Sequence, residues 1–113
     1  MKLQEMATLK QENLDLKIAI LNNNFLGMVR QWQHLFFNKK YSEVFLKNPD
    51  FIKLADGFGI PAERITNRKE IIPAIKRARK HKGPYLLEFV VETEANVFPM
   101  IPSGAAVDEV RLE

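Results

Sequence analysis

The sequence predicts an α/β protein with a mostly parallel sheet and flanking helices. The main observation is that short apolar runs alternate with segments of helical periodicity, in the order helix, strand, helix, helix, strand, helix, strand. The run "LKIAIL" at 16–21 is nearly uninterrupted, which is typical of a strand that a parallel sheet buries on both faces. This alternation favours right-handed crossovers between parallel strands. Three strands are few for such a sheet, so we expect them to be part of a larger one.

The first half of the chain contains two predicted helices on either side of the strand at 16–21. Residues 3–13 combine good helix formers with apolar residues near one face. The strand ends at the asparagine run, and a second helix runs from Phe25 or Leu26 to about Asn38. Its apolar residues recur at intervals of three and four: Met28, Val29, Trp32, Leu35 and Phe36.

The segment "KNPDFIKLADGFGIP" has the features of a complete helix. Asn48 can cap its start, and Pro49 suits the first helical position. Gly57 or Gly59 can supply the left-handed residue that ends it. We expect its buried side to consist of Phe51, Leu54, Ala55 and Phe58.

The second half continues with a strand, a helix and a third strand. "ERIT" at 63–66 is a candidate short strand, and the helix that follows runs to about His81. Pro73 removes a backbone hydrogen bond from a helix interior, so this helix either begins near 69–70, with Pro73 in its first turn, or kinks. "PYLLEFVV" at 84–91 is the third predicted strand.

The tail from Thr93 contains "NVFPMIPSGAA", which has too much proline and glycine for regular structure. It is also too apolar for a free tail, so we expect it to pack against the rest of the protein. The predicted organisation is therefore one partial domain over 1–113, with an α/β part at 1–92 and a tail at 93–113.

The composition is that of an ordinary soluble globular protein: 113 residues, 46% hydrophobic and 27% charged, with a net charge of +3. The basic cluster "KRARKHK" at 76–82 has two interpretations, a solvated helix end or a nucleic-acid-binding patch. We favour the helix end and expect no nucleic-acid partner.

Several classes of protein are disfavoured. No apolar stretch approaches the roughly 18–20 residues that span a bilayer, and the first residues lack the apolar region of a signal peptide, so we expect a cytoplasmic protein without a membrane partner. The chain contains no cysteine, which excludes disulfides and thiolate chemistry. His34 and His81 lack the spacing of a metal site, and we expect both at the surface.

Three features leave alternatives open. The asparagine run at 22–24 suits a turn and helix cap, but its amide oxygens could also bind a metal. Met28, Val29 and Trp32 have the spacing of an ordinary helix core, but they could also line a site. Glu88 lies inside an apolar strand and needs a partner if it is buried.

Five sequence blocks carry a resemblance to a known family. They are "LQEMAT" at 3–8, "ILNNNFLGMVRQWQ" at 20–33, "YSE" at 41–43, "NPDFIKLADGFGI" at 48–60 and "ANVFPMIPSGAA" at 95–106. In composition, order and spacing the chain resembles the carboxy-terminal part of the acetolactate synthase (acetohydroxyacid synthase) catalytic subunit, a thiamine diphosphate enzyme. The resemblance implies that the chain is the second half of the thiamine-diphosphate-binding (pyrophosphate) domain.

The resemblance also implies roles for individual residues. Asn23 matches the asparagine that binds the magnesium ion of the cofactor diphosphate, and Phe25 matches a position that supplies a backbone carbonyl ligand. Gly27, Met28 and Val29 match cofactor-binding positions. Trp32 and Ser103 match the substrate channel, for which we expect a partly buried Trp32 and a tail that closes over the cofactor. No residue of this chain matches a catalytic group.

Two parts of the family's site have no counterpart in the sequence. The Gly-Asp-Gly half of the metal motif would lie just before Met1, and the family's activating glutamate belongs to an amino-terminal domain. The resemblance therefore implies a fragment that is inactive alone and binds thiamine diphosphate and magnesium weakly or not at all. The implied partners are a second copy, the missing parts of the catalytic subunit, and a regulatory subunit.

Two alternatives accompany this reading. The chain could belong to another thiamine diphosphate enzyme that acts on 2-keto acids. It could also be a free-standing α/β remnant without catalysis, which acts by self-association or by binding synthase subunits, because unpaired sheet edges and apolar faces favour pairing.

Overall fold

The computed structural model describes residues 3–112, so the outer limits of the predicted 1–113 domain lie outside the described part. The order of elements matches the prediction, with one additional 3-10 helix. The elements are α1 (Glu5–Gln11), β1 (Lys17–Asn22), α2 (Gly27–Phe36), α3 (Phe51–Gly57), β2 (Ala62–Ile65), a 3-10 helix (Arg68–Glu70), α4 (Ile71–Lys80) and β3 (Tyr85–Val90).

The chain divides into two compact units. The first, called the sheet unit, consists of the residues up to Asn23 together with Lys47–Val91. The second, called the helix–tail unit, consists of Asn24–Leu46 and the residues from Glu92 onward. None of the helices described within residues 3–112 is long and apolar enough to cross a membrane.

The sheet is parallel, as predicted, with the strand order β1-β3-β2. Glu88 on the central strand β3 is in register with Ile20 on β1 and with Arg64 on β2. Because the three strands run in the same direction, their carboxyl ends lie on the same side of the sheet. Open α/β sheets bind ligands at this carboxyl end.

The two faces of the sheet carry separate apolar clusters. One face packs around Met6, Ala55, Ile60 and Leu86, with residues of β1 and α3 against it. The other packs around Ile65, Ala74, Ala78 and Leu87, with further residues of α4 against it. Alternate residues of β3 therefore serve opposite layers, as the two-residue period of a strand requires.

The prediction that 16–21 is buried on both faces is wrong. Ile18 and Ile20 are half-buried, but Ala19 is exposed and Leu21 is 72% exposed. The reason is that β1 lies at the edge of the sheet and α4 packs against β2 and β3. Burial on both faces occurs instead on the central strand β3.

The start of α3 differs from the prediction. Asp50, rather than Asn48, is the cap residue, and its carboxylate accepts hydrogen bonds from the N–H groups of Ile52 and Lys53. Pro49 precedes the cap instead of taking the first helical position. An aspartate cap also places a negative charge at the positive end of the helix dipole.

Two backbone predictions are confirmed. Gly59 has φ +66°, the left-handed conformation expected of the residue that ends α3. Pro73 is the third residue of α4, so it lies in the first turn, where its missing N–H breaks no helical hydrogen bond.

The helix–tail unit combines α2 with two irregular segments. Phe25 and Phe45 form an antiparallel bridge, supported by hydrogen bonds from Leu26 N to Val44 O (2.9 Å) and from Leu46 N to Asn24 O (2.8 Å). The tail packs against α2, as predicted, since the Gln31 side chain binds the tail backbone.

Candidate functional site

Asn23, the predicted metal ligand, directly follows β1 in the sheet unit. The residue is half-buried at the carboxyl end of the strand. A side-chain amide oxygen at this edge of a parallel sheet has the position and the hard-donor chemistry that magnesium sites use.

Asn24 and Phe25 begin the helix–tail unit. Asn24 has φ +59°, a left-handed conformation that asparagine tolerates better than most residues, so the turn interpretation holds for this member of the run. Phe25 is half-buried and packs edge-on against the Phe45 ring, with the centroids 5.6 Å apart. The backbone bridge to Phe45 fixes the chain at Phe25.

The predicted cofactor-binding residues Gly27, Met28 and Val29 form the first turn of α2. Met28 is 54% exposed and Val29 is 48% exposed, so the interpretation of these side chains as helix core is wrong. The buried residues of α2 are instead the polar Arg30 and Gln31. The apolar stripe is therefore available for contact with another molecule.

A groove of about 590 Å³ lies within the helix–tail unit. Val29 and Trp32 line it together with Phe36, whose ring centroid lies 5.0 Å from that of Trp32. Trp32 is 38% exposed, in agreement with the partly buried side chain expected. Ser103 is exposed in the tail and does not line the groove, so only two of the predicted site residues meet there.

A polar network in the sheet unit was missed by the sequence analysis. The Glu88 carboxylate is 2% exposed and accepts hydrogen bonds from Asn22 Nδ2 and Arg64 Nε, each at 2.7 Å. The hydrogen bond with Glu88 raises the pKa of the Arg64 guanidinium, which keeps that group charged. The position of Glu88 inside an apolar strand indicated that it needs a polar partner. The sequence did not indicate which residues would bind it.

The network continues toward the start of α3. Asn48 Nδ2 donates to Asn22 Oδ1 at 2.9 Å, and an Arg64 terminal nitrogen donates to Asp50 Oδ1 at 2.9 Å. Desolvation raises the pKa of Asp50, but the N–H groups at the start of α3 and the Arg64 guanidinium outweigh it and lower that pKa. Five polar side chains thus connect the carboxyl ends of the strands with α3.

The donors present fit part of a magnesium site. Within residues 3–112, no three histidine, cysteine or acidic side chains are grouped as a metal site would require. The amide oxygen of Asn23 and the carbonyl oxygen of Phe25 are hard donors of the kind that magnesium binds alongside water and phosphate oxygens. Each group, taken by itself, therefore has the chemistry of a magnesium ligand.

Comparison with known proteins identifies the class. Residues 1–89 match the family model described as "Thiamine pyrophosphate enzyme, C-terminal TPP binding domain", where thiamine pyrophosphate is another name for thiamine diphosphate. The chain belongs to this family of thiamine pyrophosphate enzyme domains.

Acetolactate synthases are among the proteins to which the chain is similar. The chain is 42% identical to acetolactate synthase 2, chloroplastic, of Zea mays over 100% of its length. It is 45% identical over 97% of its length to the acetolactate synthase isozyme 2 large subunit of Escherichia coli. These matches cover 19% and 20% of the two relatives, so the chain spans about a fifth of their length.

Two solved structures share the fold. A thiamine diphosphate-dependent 4-hydroxybenzoylformate decarboxylase from Rhodococcus jostii matches 82% of this chain with a TM-score of 0.72 and 22% identity. A benzoylformate decarboxylase from Polynucleobacter necessarius matches 85% with a TM-score of 0.74 and 17% identity. Each match covers 18% of the solved chain, and at these identities the likeness concerns the fold.

Proposed function

We propose that the chain serves as the second half of the thiamine-diphosphate-binding domain of an acetolactate synthase. The complete enzyme would condense two pyruvate molecules to 2-acetolactate with loss of carbon dioxide, in branched-chain amino-acid synthesis. Identities of 42% and 45% to acetolactate synthases support this reaction over others on the same fold. The observation that carries the proposal is Asn23 at the carboxyl end of β1, followed by the exposed first turn of α2.

In this proposal Asn23 and Phe25 serve magnesium. The Asn23 side chain offers an amide oxygen and Phe25 its backbone carbonyl, and both residues follow a strand whose end is held by the sheet. Two groups supply at most a third of the roughly six oxygen ligands of magnesium, so water and the diphosphate complete the coordination.

The first turn of α2 would contact the cofactor. Gly27 has no side chain, so a ligand can approach the backbone there, and Met28 and Val29 present exposed apolar surface. Thiamine diphosphate, when bound, supplies the nucleophilic carbon and stabilises the carbanion of the reaction. The residues of this chain bind and orient it and exclude water from one side.

Trp32 and Ser103 would border the substrate channel. The groove that Trp32 lines with Phe36 is also lined by Lys40, and this mixture of apolar and charged groups supports a role in binding a small keto acid. Ser103 lies in the tail, whose contacts with α2 support a role as a cover. A cytoplasmic location remains a prediction, since relatives include chloroplastic and mitochondrial proteins by name.

An assay of the purified chain tests this proposal. We expect no measurable acetolactate from pyruvate at saturating thiamine diphosphate and magnesium, because the chain spans about a fifth of its relatives. In calorimetric titration we expect cofactor binding no tighter than about millimolar, or about 4 kcal/mol at the standard state. Robust turnover by protein free of host enzyme would contradict the proposal, as would micromolar affinity.

A second candidate is a non-catalytic module that acts by association. The exposed Leu21 and the position of β1 as an outer strand of the described sheet favour it, because outer strands with apolar side chains promote pairing. The pairing partner would be a second copy, another part of the catalytic subunit, or a regulatory subunit. Size-exclusion chromatography with light scattering distinguishes this candidate, and a strictly monomeric species at high concentration would contradict self-association.

A further inference from the structure

The polar network of the sheet unit fixes Asn22, the last residue of β1. Its Nδ2 donates to Glu88 Oε1 at 2.7 Å, and its Oδ1 accepts from Asn48 Nδ2 at 2.9 Å. Its backbone carbonyl accepts from Val91 N at 3.0 Å. Asn22 is therefore held through both side-chain polar atoms and its backbone, and Asn23 extends directly from it.

Glu88 is the centre of this network. Its two carboxylate oxygens bind different donors, Oε1 binding Asn22 and Oε2 binding Arg64, which prevents the carboxylate from rotating. The residue is 2% exposed, so water cannot replace either donor at low cost. A hydrogen bond to a carboxylate is also stronger than one between two neutral groups. Glu88 therefore holds the Asn22 side chain more firmly than a neutral acceptor would.

Arg64 secures Glu88 from the opposite side. One guanidinium nitrogen binds Glu88 and another binds Asp50, the cap residue of α3, at 2.9 Å. The planar guanidinium makes the two bonds from two different nitrogens held in fixed geometry, whereas a lysine has a single nitrogen at the end of a flexible chain. The orientation of Glu88 is thus coupled to β2 and α3.

We propose that Glu88 is a positioning residue for the metal ligand Asn23. It acts through Asn22, holding the end of β1 so that the Asn23 amide oxygen projects from the strand in one orientation. This inference rests on the proposed function for the role of Asn23. It assigns a role to a buried carboxylate that neither touches the metal nor takes part in the reaction.

The alternative is that Glu88 contributes only to the stability of the sheet. Glu63 provides a matched control, because it is also a strand glutamate bound to an arginine, with Arg77 Nε at 3.0 Å from its Oε1, and to Tyr85 Oη. Glu63 is in register with Leu87 and so faces the α4 cluster, whereas Glu88 faces the α1 and α3 side. Glu88→Gln and Glu63→Gln therefore make the same chemical change on opposite faces.

The first measurement needs no metal. Nuclear magnetic resonance relaxation and hydrogen exchange on the full chain would report the order of the Asn23 backbone and the protection of the Val91 amide. In Glu88→Gln we expect a lower order parameter at Asn23 and about tenfold faster exchange at Val91. In Glu63→Gln we expect both quantities to equal those of the wild-type chain. Unchanged order at Asn23 in a folded Glu88→Gln protein would overturn the inference.

The second measurement uses manganese as a paramagnetic probe of the magnesium site. In the wild-type chain at millimolar Mn²⁺, we expect selective broadening of the Asn23 side-chain amide, with Asn13, before the opposite end of β1, as the reference. Glu88→Gln should reduce the broadening per millimolar Mn²⁺ about tenfold, since partners behind a metal ligand change affinity by that order. Glu63→Gln should leave it unchanged.

The two measurements separate the inference from the proposed function. If manganese does not selectively broaden Asn23 in the wild-type chain, the result counts against the metal assignment. The order parameter of Asn23 in Glu88→Gln would still decide whether Glu88 positions this residue. Equal broadening in wild type and Glu88→Gln would overturn the inference and leave the metal assignment standing. If Glu88→Gln does not fold, Arg64→Lys replaces it, because Arg64 is 42% exposed and lysine keeps the charge.

Discussion

The side chain of Gln31 pairs with the backbone of Val97 through two hydrogen bonds, as a neighbouring strand would. Gln31 Nε2 donates to Val97 O at 3.0 Å, and Val97 N donates to Gln31 Oε1 at 2.7 Å. Gln31 is 2% exposed whereas Val97 is 62% exposed, so the helix side of the pair is buried and the tail side faces solvent. A helix side chain thus takes the place of a strand in holding an irregular tail.

Replacing Gln31 with alanine should therefore loosen the tail. Both hydrogen bonds are lost, and each contributes about 0.5–1.5 kcal/mol, because water can replace the partner of the exposed Val97 backbone. We expect amide exchange at Val97 to accelerate tenfold or more, and limited proteolysis to cut first within the tail. Gln33→Ala, which removes contacts to Ser42 instead, is the control. Normal Val97 protection in Gln31→Ala would contradict the pairing.

For Arg30, in contrast to Gln31, we expect that replacement does not destabilise the protein. It is 2% exposed, its terminal nitrogen donates to Asn96 Oδ1 at 3.2 Å, and its Nε has no hydrogen-bond partner among residues 3–112. A buried donor without a partner costs about 1–3 kcal/mol. Arg30→Met should therefore leave the midpoint of urea unfolding unchanged or raise it. A loss of more than about 2 kcal/mol would show that the guanidinium stabilises the unit.

The central strand β3 and the edge strand β1 differ in their tolerance of truncation. Leu87 on β3 is 5% exposed and Leu21 on β1 is 72% exposed, so Leu→Ala is the same change in two environments. We expect Leu87→Ala to lower the free energy of unfolding by about 2–5 kcal/mol, because it leaves a cavity. Leu21→Ala should change it by less than about 0.5 kcal/mol. Urea unfolding checks both, and equal effects would contradict the assignment of β1 to an uncovered edge.

The ionisation of Tyr85 makes the free energy of unfolding depend on pH in the alkaline range. Burial and the hydrogen bond to Glu63 raise the pKa of Tyr85 to about 12. The unfolded chain loses this proton near pH 10, so the folded state holds more protons between those values. The contribution of Tyr85 is therefore complete below about pH 10 and lost as the pH rises toward 12.

Absorbance of tyrosinate near 295 nm measures this titration. Tyr41→Phe removes the signal of the other tyrosine, and Glu63→Gln added to that background should lower the pKa of Tyr85 by removing the carboxylate. If the pKa of Tyr85 is the same with and without the Glu63→Gln substitution, the result would contradict the contact between Tyr85 and Glu63.

The order of the elements was predictable because each depends on local patterns. The helix periodicity, the apolar strand runs and the position of Pro73 in a first turn follow from residues close in sequence. The cap of α3 was predicted at Asn48 because proline suits the first helical position, but Asp50 is the cap and Asn48 binds Asn22 instead.

The exposure of the elements was harder to predict. Whether an apolar strand is buried on both faces depends on its place in the sheet, and the sequence did not show that β1 lies at the edge. Asn22 and Glu88 lie 66 positions apart, so their contact has no local signature. The predicted positions Asn23 and Phe25 came from the family resemblance, and their metal role stays a prediction.

The central claim is that Asn23 of this chain supplies one of the magnesium ligands of a thiamine diphosphate site. The most direct test is to replace the corresponding segment of the Escherichia coli relative with this chain and to measure acetolactate formation against magnesium concentration. We predict an active chimera, in which Asn23→Ala raises the magnesium concentration for half-maximal activity about tenfold or more, while Asn13→Ala does not. A folded chimera whose magnesium dependence is unchanged by Asn23→Ala would contradict the claim, as would one that makes no acetolactate at saturating cofactor and magnesium.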